Sequence, residues 1–130
     1  MPHLQFEVNK KIIDGVKREF IKQIQNSFAE VMQTKTDHIA ISIKEVEKYD
    51  LSIGRAIEGD EICLMNLDIR EGRSIEQKRE VALRFMSIVN NLFEINNRNQ
   101  YITFTQHNGN DFHLIERYLA SWQKGEDPLA

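Results

Sequence analysis

The stretch Ile62-Cys63-Leu64-Met65-Asn66-Leu67-Asp68-Ile69, followed after four residues by Ser74-Ile75-Glu76-Gln77, decides how the chain is put together. Its first part is apolar on both alternating sets over most of its length, as a strand covered on both faces requires. Its second part reads as a capping box, in which the Ser74 hydroxyl and the Gln77 side chain satisfy each other's free backbone amides at a helix start. Val81, Phe85, Ile88, Val89 and Leu92 then recur at helical spacing,. Tyr101-Ile102-Thr103-Phe104-Thr105 returns to the alternation of a strand,. Strand, helix and strand over about 61–106 make one βαβ unit.

The same unit stands earlier in the chain. Leu4, Phe6 and Val8 alternate with His3, Gln5 and Glu7, the period of a strand with one buried face,. Asp14 offers an N-cap for a helix over 14–32, whose buried stripe is Val16, Phe20, Ile24, Phe28, Val31 and Met32,. Ile39, Ile41 and Ile43 then mark a second strand, so the first unit covers about 2–46. Leu4 to Ile62, Asp14 to Ser74 and His38 to Gln100 are offsets of 58, 60 and 62 residues, which is a duplication. Right-handed crossovers put both helices on one face of a shared four-stranded sheet. The expected fold class is therefore α+β, two βαβ units in one domain over 1–130 with a tail from 107. Residues 47–60 read as a connecting loop with room for a short strand at its centre. The sheet face away from the helices carries His3, Gln5, Glu7, Ala40, Ser42, Thr103 and Thr105, too polar for a dry core and open to association. Phe112, Leu114, Leu119 and Trp122 give the tail enough apolar weight to pack on the body.

Composition narrows the function classes. The 130 residues carry 17 Lys plus Arg against 20 Asp plus Glu, a formal charge of −3. No basic surplus stands ready for a phosphate backbone, which disfavours general nucleic-acid binding. The N-terminus has neither a basic n-region nor an apolar h-region, and no stretch approaches the roughly 20 apolar residues of a membrane span, so a cytoplasmic location is expected. Cys63 is the single cysteine, which excludes an intrachain disulfide and a thiolate metal cluster,.

Few residues offer chemistry. Pro2, once Met1 is removed, supplies a free secondary amine that can act as base, acid or nucleophile. Arg70-Glu71-Gly72-Arg73 lies where a strand ends, and two guanidiniums separated by a turn glycine can converge on one carboxylate. The Ser74 helix start adds amides and a positive dipole end. The bland readings stand beside these: Pro at position 2 is common, paired Arg in a loop is usually a solvated surface, and Asp37 is most simply a turn residue. His38, His107 and His113 lack a metal-ligand spacing and read as surface or hydrogen-bonded histidines. Glu116 and Arg117 read as a solvated face of the tail.

Taken together, Met1-Pro2-His3-Leu4-Gln5-Phe6, the Asp37 approach to the second strand, and Arg70-Glu71-Gly72-Arg73-Ser74-Ile75-Glu76-Gln77-Lys78 on a duplicated βαβ chain resemble the tautomerase superfamily over essentially the whole length. The Arg pair running into Ser-x-Glu-Gln-Lys is similar to its malonate semialdehyde decarboxylase branch, and Arg-Glu-Gly-Arg-Ser to its cis-3-chloroacrylic acid dehalogenase branch. Length and Asn110-Asp111-Phe112 favour the decarboxylase side. The resemblance implies a homotrimer without metal or organic cofactor, in which Pro2 is catalytic, Arg70 and Arg73 bind the carboxylate of a small substrate, and Asp37 positions or activates water. It also implies that Phe112, Leu114 and Trp122 form an apolar wall around the site, and it offers Glu116 as a match to a dehalogenase-branch glutamate. The expected activity is proton transfer by Pro2 on a small 2-oxo or 3-oxo acid, as tautomerisation or as decarboxylation or hydration.

Two other classes share the βαββαβ pattern. A catalytically silent small-molecule-binding relative would keep the frame without the amine chemistry, because fold does not assign function. An RNA-binding ferredoxin-like module would need stacking aromatics and a basic sheet face, neither of which this sequence provides.

Overall fold

The computed structural model describes residues 2–115 and the backbone of 117 and 118. Strand β1 (His3–Val8) leads into helix α1 (Asp14–Met32) and strand β2 (Ala40–Glu45); strand β3 (Cys63–Arg70) leads into helix α2 (Ile75–Phe93) and strand β4 (Gln100–His107). Each helix has 19 residues. His3 to Cys63, Asp14 to Ile75 and Ala40 to Gln100 are offsets of 60, 61 and 60 residues, a tighter repeat than the sequence pattern alone indicates. A short 3-10 turn (Gly109–Asp111) follows β4, and a two-stranded ribbon, β5 (His113–Leu114) with β6 (Arg117–Tyr118), stands apart from the main sheet.

The sheet order is β2-β1-β3-β4. β1 runs parallel to β2, β3 parallel to β4, and the two units meet through the antiparallel pair β1–β3, in which His3 faces Asp68 and Phe6 faces Met65. Leu4, Phe6 and Val8 from β1 and Cys63, Met65, Leu67 and Ile69 from β3 are buried against Phe20, Ile24, Phe28 and Met32 of α1 and Val81, Phe85, Val89 and Phe93 of α2. Phenylalanines knit this layer: Phe6 meets Phe20 edge to face at 4.9 Å, and Phe20 stacks on Phe93 at 4.1 Å. Such pairs add to the area they bury and set the angle at which the helices lie on the sheet.

Two local expectations are corrected. The N-cap of α1 is Ile13, extended at φ −71° and ψ 151°, and Asp14 is already helical. Its carboxylate therefore complements the dipole of the first turn and does not cap it. Residues 47–60 form no strand. Asp50 and Asp60 take the amides of Glu47 and Ile57 on their side chains, closing local turns that compete with ladder pairing,. Buried Asn9 ties down the ends of this loop, donating to the carbonyls of Lys48 (2.8 Å) and Asp60 (3.0 Å) and accepting from the amide of Ile62 (2.7 Å). The expected capping box at Ser74 is present in both directions, Gln77 N to Ser74 Oγ at 3.1 Å and Ser74 N to Gln77 Oε1 at 3.0 Å. Among the described residues no helix is long and apolar enough to cross a membrane.

Candidate active site

Strand direction gathers the candidate residues. β1 and β2 begin at the sheet end where β3 and β4 finish, so Pro2, the turn before β2, Arg70 and His107 all stand at that end. Pro2 is buried, and its carbonyl accepts the amide of Ala40 at 3.1 Å. Continuing the β1–β3 register one step beyond His3 and Asp68 sets Pro2 opposite Ile69, with Arg70 next along. Arg70 closes β3, is only 5% exposed, and is the cross-strand partner of His107. Glu71 donates its amide to the His107 carbonyl at 2.8 Å, Gly72 turns the chain at φ 112°, and half-buried Arg73 follows immediately before the α2 cap. Only glycine adopts that φ without strain, so Gly72 is what allows two arginines so close in sequence to leave a strand and enter a helix.

Asp37 sits in a tight turn closed by Ile39 N to Thr36 O at 3.1 Å, directly before β2. Its side chain is exposed, and Oδ1 meets Nδ1 of the buried His38 ring at 3.3 Å. That hydrogen bond, ahead of nearby charge from His38 and Lys35, holds the Asp37 carboxyl below its ordinary value of 3.8 and outweighs partial desolvation,. Thr34 Oγ1 lies 3.3 Å from the opposite ring nitrogen, so a neutral His38 that donates from Nδ1 can accept from Thr34,.

Phe112, Leu114 and Trp122 are the residues that the resemblance implies for an apolar wall. Phe112 packs edge-on against His107, with ring centroids 5.5 Å apart. Leu114 is 38% exposed on the β5–β6 ribbon. Trp122 and Glu116 lie outside the described residues.

His107 is what sequence reasoning missed at this end. It was legible as a hydrogen-bonded histidine, and it is one: Nε2 meets Asp68 Oδ1 at 3.0 Å. Counting β4 past Thr105 to its full length would have aligned it with Arg70. Asp68 also accepts from Gln5 Nε2 at 2.7 Å, and Asn66 donates to Thr103 (2.9 Å) and Thr105 (3.1 Å), so the open sheet face is a hydrogen-bonded polar layer. A concavity of about 480 Å³ lies on that face between Gln5, Ser42, Lys44, Leu64 and Tyr101, away from the Pro2 end. Cys63 is buried beneath the sheet, and burial followed by the charge of Glu7 pushes its thiol up to about 12, which leaves it inert at neutral pH,. Among the described residues no group of three or more His, Cys, Asp or Glu side chains could hold a metal ion.

The pairing pattern separates two βαββαβ folds. A ferredoxin-like sheet splits each βαβ unit by inserting a strand between its two strands; here β1 lies beside β2 and β3 beside β4, so both units are unsplit. The chain has the tautomerase fold. Solved structures of that fold superimpose over nearly its whole length. A member of the cis-3-chloroacrylic acid dehalogenase family, N1, is 14% identical and matches with a TM-score of 0.80 over 92% of this chain and 84% of its own. A fused 4-OT protein solved as a symmetric trimer is 14% identical, with a TM-score of 0.79 over 95% of this chain and 99% of its own. FG41 malonate semialdehyde decarboxylase, inhibited by 3-bromopropiolate, is 12% identical, with a TM-score of 0.72 over 85% and 86%. No protein-family model matches the chain, and no curated protein matches it in sequence. The dehalogenase and decarboxylase branches both fit this tautomerase frame, and their scores do not choose between them.

Proposed function

We propose that the chain is a tautomerase-superfamily enzyme in which Pro2, exposed as an amine by removal of Met1, transfers a proton on a small 2-oxo or 3-oxo acid held through its carboxylate by Arg70 and Arg73. The observation that carries this reading is the strand arrangement that brings the start of β1 beside the end of β3, one residue from a buried arginine. Two guanidiniums and a buried setting favour a neutral amine, which can take a proton from the carbon beside a carbonyl and return it elsewhere. The guanidinium forks hold the carboxylate and stabilise the negative charge that develops on the enolate oxygen.

Asp37 gives the same frame a second use. The hydrogen bond from His38 keeps the Asp37 carboxyl below the ordinary value of 3.8. With Pro2 protonated, the amine polarises a carbonyl or activated alkene while Asp37 orients water, which is hydration, or assists loss of CO2 from a 3-oxo acid. Phe112 supplies apolar cover, with Leu114 and Trp122 as the further members of that wall. The functional unit is a homotrimer: the fused 4-OT protein with this fold is a symmetric trimer, and a broad polar sheet face lies opposite the helices here.

The test is an intact mass of the untagged protein followed by exchange of the C3 hydrogens of 2-oxobutyrate in D2O, read by proton NMR. The expected result is a mass lacking one methionine and exchange that falls at least ~100-fold in Pro2→Ala. Retained Met1, or exchange indifferent to Pro2, would identify a binding protein that keeps the frame without its chemistry.

A further inference from the structure

We propose that His107, held by Asp68, is the second proton-transfer group of this site and works opposite Pro2. The inference rests on reading Pro2 as the amine base. His107 closes β4 directly across from Arg70. Its Nε2 lies 3.0 Å from Asp68 Oδ1. A carboxylate only accepts, so Nε2 carries the hydrogen and Nδ1 is the nitrogen that exchanges a proton. The other Asp68 oxygen takes Gln5 Nε2 at 2.7 Å, so the carboxylate is gripped on both sides and cannot rotate away from the ring. Phe112 braces the imidazole edge-on at 5.5 Å. Asp111 Oδ2 stands 3.8 Å from Nδ1, beyond hydrogen-bond length, and the ring is one-third exposed, so Nδ1 is reachable,.

The three groups share one end of the sheet. β1 and β4 flank β3, so Pro2 and His107 stand on the strands either side of Arg70. A substrate whose carboxylate rests on Arg70 can present the CH2 beside its keto group to Pro2 and its keto oxygen to His107. Pro2 nitrogen takes a hydrogen from that carbon, the C–H electron pair becomes the C=C bond, and the carbonyl π pair moves onto oxygen. That oxygen takes the proton from His107 Nδ1, and the enol forms with charge balanced. Among the described residues, the charged groups facing the ring are Asp68 and Asp111, with Arg70 across the strand and His3 beyond Asp68 in register.

The experiment compares His107→Gln, Asp68→Asn and Pro2→Ala by deuterium exchange into 2-oxobutyrate, with thermal melts as a folding control. His107→Gln is expected to lower kcat about 100-fold or more with KM nearly unchanged. Asp68→Asn, which weakens the hold on the ring, should lower kcat in the same direction with KM nearly unchanged; a purely structural contact would lower the melting temperature and leave kcat where it is. Wild-type kcat in His107→Gln would overturn the proposal. Should His107→Gln fail to fold, an unchanged kcat in Asp68→Asn overturns it equally. Loss of exchange in Pro2→Ala alongside an unaffected His107→Gln removes only His107, whereas full exchange in Pro2→Ala removes the amine reading itself.

Discussion

The carbonyl oxygen of Pro2 accepts the backbone amide of Ala40 at 3.1 Å, so the residue that would carry the reactive amine is already stitched into the sheet before β1 formally begins. Its nitrogen is therefore held by backbone geometry. A proline has no amide hydrogen to spend on the ladder, and this position needs none. An uncleavable residue added ahead of Pro2 converts the amine to an amide without touching that hydrogen bond. Such a protein should melt at the wild-type temperature and show at least a ~100-fold loss of C3-hydrogen exchange in 2-oxobutyrate; full exchange would show that the nitrogen is a bystander.

Arg70 and Arg73 should fail differently. Arg70 is buried at the end of β3, whereas Arg73 is half-buried beyond Gly72. Removing a charged hydrogen bond to a carboxylate costs ~1.5–3 kcal/mol. Arg73→Ala should thus raise KM roughly 10- to 150-fold with little change in melting temperature. Arg70→Ala should raise KM similarly and also lower the melting temperature, because a buried guanidinium packs as well as binds. Steady-state kinetics paired with melts separate the two, and equal, unchanged KM values would show that neither arginine holds the substrate.

Much of this was legible in the sequence, for reasons that differ by element. The α2 start was readable to the residue because a capping box is a local, reciprocal hydrogen-bond pattern,. The start of α1 was readable only to within a residue, because Asp is favoured both at the N-cap and in the first turn, and only the backbone angles of Ile13 tell the two apart,. The gathering of Pro2 and Arg70 at one sheet end did not follow from the duplication, which leaves open that β1 and β3 pair antiparallel; that pairing is what sets the two together. His107 was not legible either, since its meaning depends on a register with Arg70 across two strands that share no sequence proximity. Asn9 was silent for the same reason: its three hydrogen bonds reach residues between 39 and 53 positions away.

The Asp37–His38 contact makes a pH prediction. The folded-state value of the Asp37 carboxyl lies below 3.8, first through the hydrogen bond from His38. A depressed carboxylate contributes stability that is fully present above its unfolded value and is lost as pH falls through the folded one. The pH dependence is therefore confined to the acid side of about pH 4, and the contribution is fully present and flat at neutrality. In His38→Ala the Asp37 carboxyl should move back toward 3.8 in a carbon-detected NMR titration, while an unmoved titration would assign the shift to the backbone and Lys35.

Both helices end on a residue other than glycine in the left-handed region: Gln33 at φ 55° and Glu94 at φ 57°. The left-handed conformation costs an L-residue roughly 1 kcal/mol that glycine does not incur. At each site the turn geometry is already committed, for Thr34 donates its amide to the Ala29 carbonyl at 3.0 Å and Gln100 Nε2 reaches the Ile95 carbonyl at 3.1 Å just past Glu94. Gln33→Gly and Glu94→Gly should each raise unfolding free energy by a few tenths to ~1 kcal/mol, the strain relieved less the extra freedom glycine gives the unfolded chain. The two sites are the ends of separate helices, so the double variant should show nearly additive gains in urea denaturation. A loss of stability in either single variant would mean that the Gln33 or Glu94 side chain contributes more through its contacts than its backbone conformation costs.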